Sequence, residues 1–405
     1  MTSPSNPTKP SNPMRLLISA DIHLGSPIRS AAMRNPELGD QLQRASRDTF
    51  ASIIGLAIAE QVDALVLAGD IFDSAQPDLK ARAFLITQLT RAAEAGIPTV
   101  LIRGNHDALL GDGVYGDLGP MVHLLDKGHP NVEIGGVMFH GLSFNKAHFT
   151  ISMLPDYPVP VPGRKNVGLM HTSLDGTSGH DRYAPCSADE LLAHGYELWC
   201  LGHIHAPFER ASDSALAIMP GIPQPRHIGE RFGGSVVIAE LGDGLPTFER
   251  HAVGKLAFAE CALDLTECAD IQEVTREIRA GLLAVQDPEC NVAVRLTATT
   301  NQHSADLLTN LAEEELESMD RVYLDKVKSV APEHKDNSKA DDLIRLMREE
   351  LTEPGLQTSG KQILDDLRAV LPREIADELD ENSLTQLYEE AIHEVSLSLH
   401  AGGES

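Results

Sequence analysis

Hydrophobic residues in the first 250 positions fall into short runs, each closed by a turn bearing Gly, Asp or His. "RLLISAD" ends at Asp21, "ALVLAGD" at Asp70 and "PTVLIRGNHD" at Asp107, while "NVGLMHTS" contains His171 and "LWCLGHIH" ends with His203 and His205. Apolar runs of this length, bounded by turn residues, predict buried strands. Between the first two, "QLQRASRDTFASIIGLAIAEQ" repeats its apolar positions at a helical period. Between the second and third, "LKARAFLITQLTRAAEAG" does the same and places Gly96 where a helix C-cap is wanted. Strands alternating with helices predict a layered α/β domain, and "SALAIMPG" and "GSVVIAEL" supply further strands to complete it.

The pattern changes near residue 250. "FAECALDLT", "CNVAVRLTAT" and "RVYLDKVKSV" predict strands, with helices "DIQEVTREIRAGLLAV" and "ADLLTNLAEEELESM" between them, enough for a small α+β domain over 251–332. "APEHKDNSK" has the composition of a linker, and the remainder is helical. In its last helix Leu384, Leu387, Tyr388, Ala391, Ile392, Val395 and Leu399 share one stripe, suited equally to internal packing and to a partner. The chain is therefore divided into a disordered tail (1–13), an α/β domain (14–250), an α+β domain (251–332) and a helical region (333–405).

Composition narrows the class. A hydrophobic share of 42% and a charged share of 23% suit a soluble globular protein. No apolar stretch approaches the ~20 residues of a membrane span, and the opening "MTSPSNPTKPSNPM" lacks a signal core. The 5 cysteines are odd in number and without CxxC spacing, which predicts reduced thiols in a cytoplasmic protein. The net charge of −27 argues against strong, unaided binding of nucleic acid. It is also uneven: residues 251–405 hold 33 acidic and 14 basic side chains, a balance of −19, against −8 for the first 250. The chemistry is expected in the first part.

Five turns there carry one kind of residue: "DIH" (Asp21, His23), "GDIFD" (Asp70, Asp73), "GNHD" (Asn105, His106, Asp107), "MHTS" (His171) and "GHIH" (His203, His205). Ligands of α/β sheets gather beyond the carboxyl ends of the strands, so five strands feeding one edge bring these side chains together. Carboxylate, imidazole and amide oxygen, with no thiolate among them, suit a pair of borderline divalent metals rather than structural zinc. In "DIH" and "HIH" the skipped Ile22 and Ile204 are expected to turn inward and leave their flanking residues on the opposite side. A carboxylate can bridge two cations about 3.5–4 Å apart, and Asp70 in its Gly-Asp turn is the expected bridge. The neighbouring glycines are expected to let the backbone turn sharply. A single D-x-H is commonplace and "GNHD" alone can be an ordinary Asx turn; the ordered set of five is what points to chemistry.

This ordered set resembles the calcineurin-like metallophosphoesterase superfamily, and within it the SbcD-type DNA repair exonucleases, most closely the YhaO-like branch. Phe72 in "GDIFD" and Asp107 after "GNH" are of the nuclease type, and "HTSLDGTSGHDRYAPCSADELLAHGYELWCLGHIH" and "PGIPQPRHIGE" are similar to YhaO-like sequences. The resemblance implies a layered metallophosphoesterase sandwich with a cap domain. It assigns Asp21, His23, Asp70 and His205 to one metal, and Asp70, Asn105, His171 and His203 to the other. His106 would donate a proton to the leaving oxygen, Asp73 would accept a hydrogen bond from His106 and orient it, and Asp107 would fix the loop. Two Mn²⁺ ions are the expected cofactors.

The implied activity is metal-dependent DNA hydrolysis, exonuclease or endonuclease, by a metal-bound hydroxide in DNA repair. The implied partners are DNA, an SMC-like coiled-coil ATPase (SbcC- or YhaN-like) docked on the C-terminal helices, and a second copy of the chain, with no membrane. Ile222 and Pro225 depart from the Asn and Gly expected of near relatives, so Arg226 and His227 stand only as candidate substrate contacts. The alternative is a phosphodiesterase or phosphatase for small phosphoesters. A non-catalytic scaffold has no need of His106.

Overall fold

The computed structural model describes residues 13–25, 36–73, 77, 79–110, 118–146, 149–174, 183–332, 339–351, 353–370 and several positions of 384–395. The predicted tail and most of the predicted linker lie outside the described residues. Two compact units divide the chain: one takes in residues up to 26, 43–225 and 230–255, the other 27–42, 226–229 and 256 onward.

Through the first unit the elements run β1 (Met14–Ser19), α1 (Pro36–Ala59), β2 (Ala64–Ala68), α2 (Leu79–Glu94), β3 (Thr99–Ile102), β4 (Val122–Leu124), β5 (Asn131–Ile134), β6 (Val137–Gly141), β7 (Lys165–His171), α3 (Ala188–Ala193), β8 (Leu198–Gly202), β9 (Phe208–Ala211), β10 (Leu216–Met219), β11 (Ser235–Leu241) and β12 (Thr247–Ala252). They build two six-stranded sheets, ordered β12-β11-β1-β2-β3-β4 and β5-β6-β7-β8-β10-β9. Strands β1 to β4 pair in parallel, as do β6, β7, β8 and β10. Each sheet therefore sends the carboxyl ends of its central strands to one edge.

The alternation of side chains along each strand accounts for the layers. On one face of the first sheet Leu17, Leu65, Leu67 and Leu101 pack against Phe50, Ile53 and Ile54 of α1 and Leu85 and Leu89 of α2. One residue out of phase, Leu16, Ile18, Val66, Val100 and Ile102 turn to the second sheet and meet Phe139, Val167, Leu169, Leu198 and Ile218. The far face of the second sheet buries Trp199, Leu201 and Met219 with Ala188 and Leu191 of α3. The result is a helix–sheet–sheet–helix sandwich whose central strands are apolar on both faces, as buried parallel strands must be.

The second unit contains β13 (Leu256–Asp264), α4 (Ile271–Val285), β14 (Asn291–Thr299), α5 (Ala305–Leu316) and β15 (Val322–Val330), then α6 (Lys339–Leu351) and α7 (Pro354–Val370). The strands pair in parallel in the order β13-β14-β15, so the helices are β–α–β crossovers, a more regular plan than the α+β expectation. Asp270 caps α4 by accepting from the amides of Gln272 and Glu273, and Ser304 caps α5. Val274, Ile278 and Leu282 of α4 and Leu308 and Ala312 of α5 cover Val292, Val294, Leu296 and Leu324. Of the C-terminal stripe, Ile392 is buried whereas Leu387 and Val395 are exposed, and Leu399 lies outside the described residues.

Candidate metal centre

Each candidate side chain leaves the end of a strand through an unusual stretch of backbone. β1 stops at Ser19, so Asp21 and His23 are off the strand and reach one side by another route than strand alternation. Both are left-handed, with φ of 53° and 48°, and Asp70 and His203 share that region at 49° and 101°. Non-glycine residues there are uncommon, although Asp and His tolerate it better than most. Ile22, between the first two, is buried with the α1 and α2 core as expected. Of the neighbouring glycines only Gly69, at φ 93°, is required by a turn. Gly104 and Gly202 are required by space: a Cβ on Gly104 would strike the Asp70 carboxylate, and one on Gly202 would strike the Ala68 carbonyl and lie 3.0 Å from His171 Nδ1.

The five turns converge. From the first sheet come Asp21, His23, Asp70, Asp73, Asn105 and His106; from the second come His171, His203 and His205. Among the described residues, three sets of potential ligand atoms lie within 4.8 Å of one another: Asp21 with His23 and His205, Asp21 with Asp70 and His171, and His23 with Asp73 and His106. His23 Nε2 faces His205 Nε2 at 3.2 Å. His171 Nε2 faces Asn105 Oδ1 at 3.0 Å and Asp70 Oδ2 at 3.2 Å, and His203 Nδ1 lies 3.2 Å from the same Asn105 oxygen. The His203 amide donates to the Asp21 carboxylate at 3.0 Å, tying the two sheets together at the site.

The second nitrogen of several rings is already committed. His171 Nδ1 donates to the Ala68 carbonyl at 3.0 Å. His205 Nδ1 donates to Glu230 Oε1 at 2.6 Å, and His23 Nδ1 lies 2.8 Å from Asp73 Oδ1. A proton held at Nδ1 leaves a lone pair at Nε2 of the neutral ring. Thus the His205 lone pair points at His23 Nε2, and another, on His171, points at two acceptor oxygens. Only a proton or a cation reconciles these contacts. The site's titration reflects the same demand. Burial raises the Asp21 carboxyl to about 6 although His171 and His205 pull it down. Burial also opposes the charging of Asp70 and His171, but their mutual attraction outweighs it. It holds Asp70 well below the carboxylate range and, with help from Asp21, lifts His171 to about 9.

His106 stands at the rim. Its amide donates to Asp70 Oδ1 at 3.0 Å, its Nε2 lies 4.0 Å from Asp70 Oδ2, and its side chain is one-quarter exposed (25%). Asp73 does contact it, but through the backbone: His106 Nδ1 meets the Asp73 carbonyl oxygen at 3.1 Å, while the Asp73 carboxylate, 3.6 Å away, is turned toward His23. Asp107 takes the amides of Gly104 at 2.7 Å and Ile71 at 3.0 Å, fixing the loop as expected. Arg226 and His227 belong to the second unit, where His227 Nδ1 accepts from the Gly229 amide. Neither is among the gathered ligand atoms. Glu230, in contact with His205, is a residue of the site that sequence reasoning missed. It closes the stretch "PGIPQPRHIGE", and an acid at the end of a turn after "GHIH" was the available signal.

Residues 14–207 match the family model for the calcineurin-like phosphoesterases, a span that includes every gathered ligand. This part of the chain is a calcineurin-like metallophosphoesterase domain. Metallophosphoesterases are hydrolases that use a dinuclear metal site, and the groups gathered here are candidate metal ligands. The chain is 29% identical over 289 residues to the uncharacterized metallophosphoesterase YhaO of Bacillus subtilis, covering 69% of this chain and 70% of that protein. It is 25% identical over 250 residues to the DNA double-strand break repair protein Mre11 of Sulfurisphaera tokodaii, covering 58% of this chain and 62% of that one. A shorter stretch of 97 residues is 35% identical to the SbcD subunit of the SbcCD nuclease of Bacillus subtilis, covering 23% of this chain and 22% of the relative. Among the described residues no helix is long and apolar enough to cross a membrane.

Proposed function

We propose that this metallophosphoesterase is a metal-dependent DNA nuclease. The observation that supports it most is the crowding of imidazole nitrogens against one another and against acceptor oxygens, which a pair of divalent cations would satisfy. Asp21, His23, Asp70 and His205 would hold one ion, and Asp70, Asn105, His171 and His203 the other. Mn²⁺ is the proposed native metal. When bound, such ions polarise a phosphodiester and lower the pKa of water.

The chain's own residues then divide the remaining work. Asp70, reached from both ligand sets, would keep the two halves of the site in register. His106, part-exposed with Nδ1 held by the Asp73 carbonyl and Nε2 4.0 Å from Asp70 Oδ2, would give a leaving sugar oxygen its proton. Asp73 serves His106 through its backbone and His23 through its carboxylate. Arg226 and His227 remain proposed substrate contacts of low specificity for sequence.

DNA as substrate is supported by the relatives named as break-repair protein and nuclease component. A DNA-repair role, a cytoplasmic location, a homodimer and an SMC-like ATPase partner belong to the same proposal, with residues 251–332 as a cap and 333–405 as the partner-binding region. The net charge of −27 favours help from a partner in holding DNA. The same charge favours the second reading, a phosphodiesterase for small phosphoesters. End-labelled single- and double-stranded DNA, incubated with Mn²⁺, Mg²⁺ or Zn²⁺, tests both against the His106→Ala variant. DNA left intact by the parent, with nucleotides hydrolysed instead, would select the second reading.

A further inference from the structure

Glu230 is buried, with its side chain 4% exposed, and its Oε1 takes the Nδ1 proton of His205 at 2.6 Å. The segment that carries it is built around His205. The Ile222 amide donates to the His205 carbonyl at 2.9 Å, so the residue is held through both backbone and ring. Gly221, at φ +83°, has no room for a side chain, because a Cβ would come within 2.6 Å of that carbonyl. The Gly233 amide closes a turn onto the Glu230 carbonyl at 2.8 Å, and the Gly234 amide returns to Ile222 at 2.9 Å. At the near end Gln224 Oε1 accepts from Thr49 Oγ1 at 3.0 Å and from the Lys255 amide at 2.8 Å. A buried carboxylate so braced has little freedom to leave its imidazole.

We infer that Glu230 is a positioning residue: it fixes the His205 ring with Nε2 toward His23 and so sets how strongly this pair holds a divalent cation. A carboxylate behind a ligating imidazole fixes its tautomer and makes its free nitrogen a better donor. Behind His23 the Asp73 carboxylate lies 2.8 Å from Nδ1 as a charge contact without hydrogen-bond geometry, whereas His171 leans on a neutral carbonyl. Asp21, His23 and His205 therefore form the subsite whose rings are backed by carboxylates. The inference rests on the metal-dependent function proposed for this site.

The test is titration of the full-length, chelator-stripped protein with Mn²⁺, reading free ion by electron paramagnetic resonance, and with Co²⁺, reading its visible spectrum. Glu230→Ala is expected to weaken one binding event by about 10- to 100-fold. Glu230→Gln keeps an acceptor at the same place and is expected to lose only a fraction of that, which separates positioning from a collapsed fold. In a His205→Ala background, Glu230→Ala should cost nothing more, because the partner through which it acts is gone. Parental Mn²⁺ and Co²⁺ affinity in Glu230→Ala, or an equal loss with and without His205, would overturn the inference while leaving the nuclease proposal standing. No Mn²⁺ or Co²⁺ bound by the parent would overturn both.

Discussion

At the scale of single residues, the site is a balance of protons that a metal would replace. In the metal-free protein His171 has its pKa lifted from 6.5 to about 9 by Asp70 and Asp21. A group raised on folding stabilises the fold fully below its unfolded pKa and loses that contribution as pH rises through the folded one. Thermal melting in chelator should therefore show Tm falling between pH 6.5 and 9, a window above the change in Asp21 near 6. Saturating Mn²⁺ should remove the decline, since the ion takes the proton's place. His106→Ala should lower kcat on DNA by roughly 10²- to 10⁴-fold with Mn²⁺ affinity near parental, since the proposed function uses His106 as an acid and not as a ligand. The side chains that gather here were legible because Asp, Asn and His at strand ends stand out from apolar runs. Glu230 was not, because a lone acid among prolines and glycines has the same appearance whether it caps a turn or backs an imidazole. Nor does sequence say whether a backbone or a side-chain oxygen of Asp73 will meet His106.

At the scale of elements, the central strands were readable and the marginal ones were not. β1, β2, β3, β7 and β8 are buried almost throughout, so each carries a recognisable apolar run. β5, β9 and β12 alternate or are largely exposed, and β4 is half-buried, leaving little apolar signal. The sheets are also set close by small residues. A Cβ on Gly168 of β7 would overlap the Trp199 indole, and one on Gly202 of β8 would strike the carbonyl of Ala68 at the end of β2. Gly202→Ala should destabilise the protein by about 1–3 kcal/mol, the ordinary range for overpacking, as read by urea unfolding. It should also weaken Mn²⁺ binding, because the added methyl lies beside His171 Nδ1. Gly168→Ala should cost a similar amount of stability with Mn²⁺ affinity unchanged, since its neighbours are Trp199 and Tyr196 and not the ligands.

At the scale of the whole molecule, the pattern predicts a boundary at 250/251, and the structure divides into two compact units. The strand-rich change near residue 250 is visible in the pattern, but residues 226–229 and 27–42 group with the later unit, and no local periodicity encodes a long-range association of that kind. Residues 256–330 have their own core between a parallel sheet and two capped helices. Expressed alone, residues 255–332 should unfold cooperatively in urea, monitored by far-UV circular dichroism; a gradual, non-cooperative loss of helix would refute an independent domain.

The left-handed backbone of Asp21, His23, Asp70 and His203 has a consequence for motion. Such conformations cost about 1–3 kcal/mol each unless their surroundings hold them in place, and here the restraints are the very contacts that a cation would complete. Chelation should therefore speed deuterium uptake at 20–24, 69–73 and 202–206 while the amides within β1, β2 and β8 exchange as before. The turns would breathe while the strands that carry them stay still.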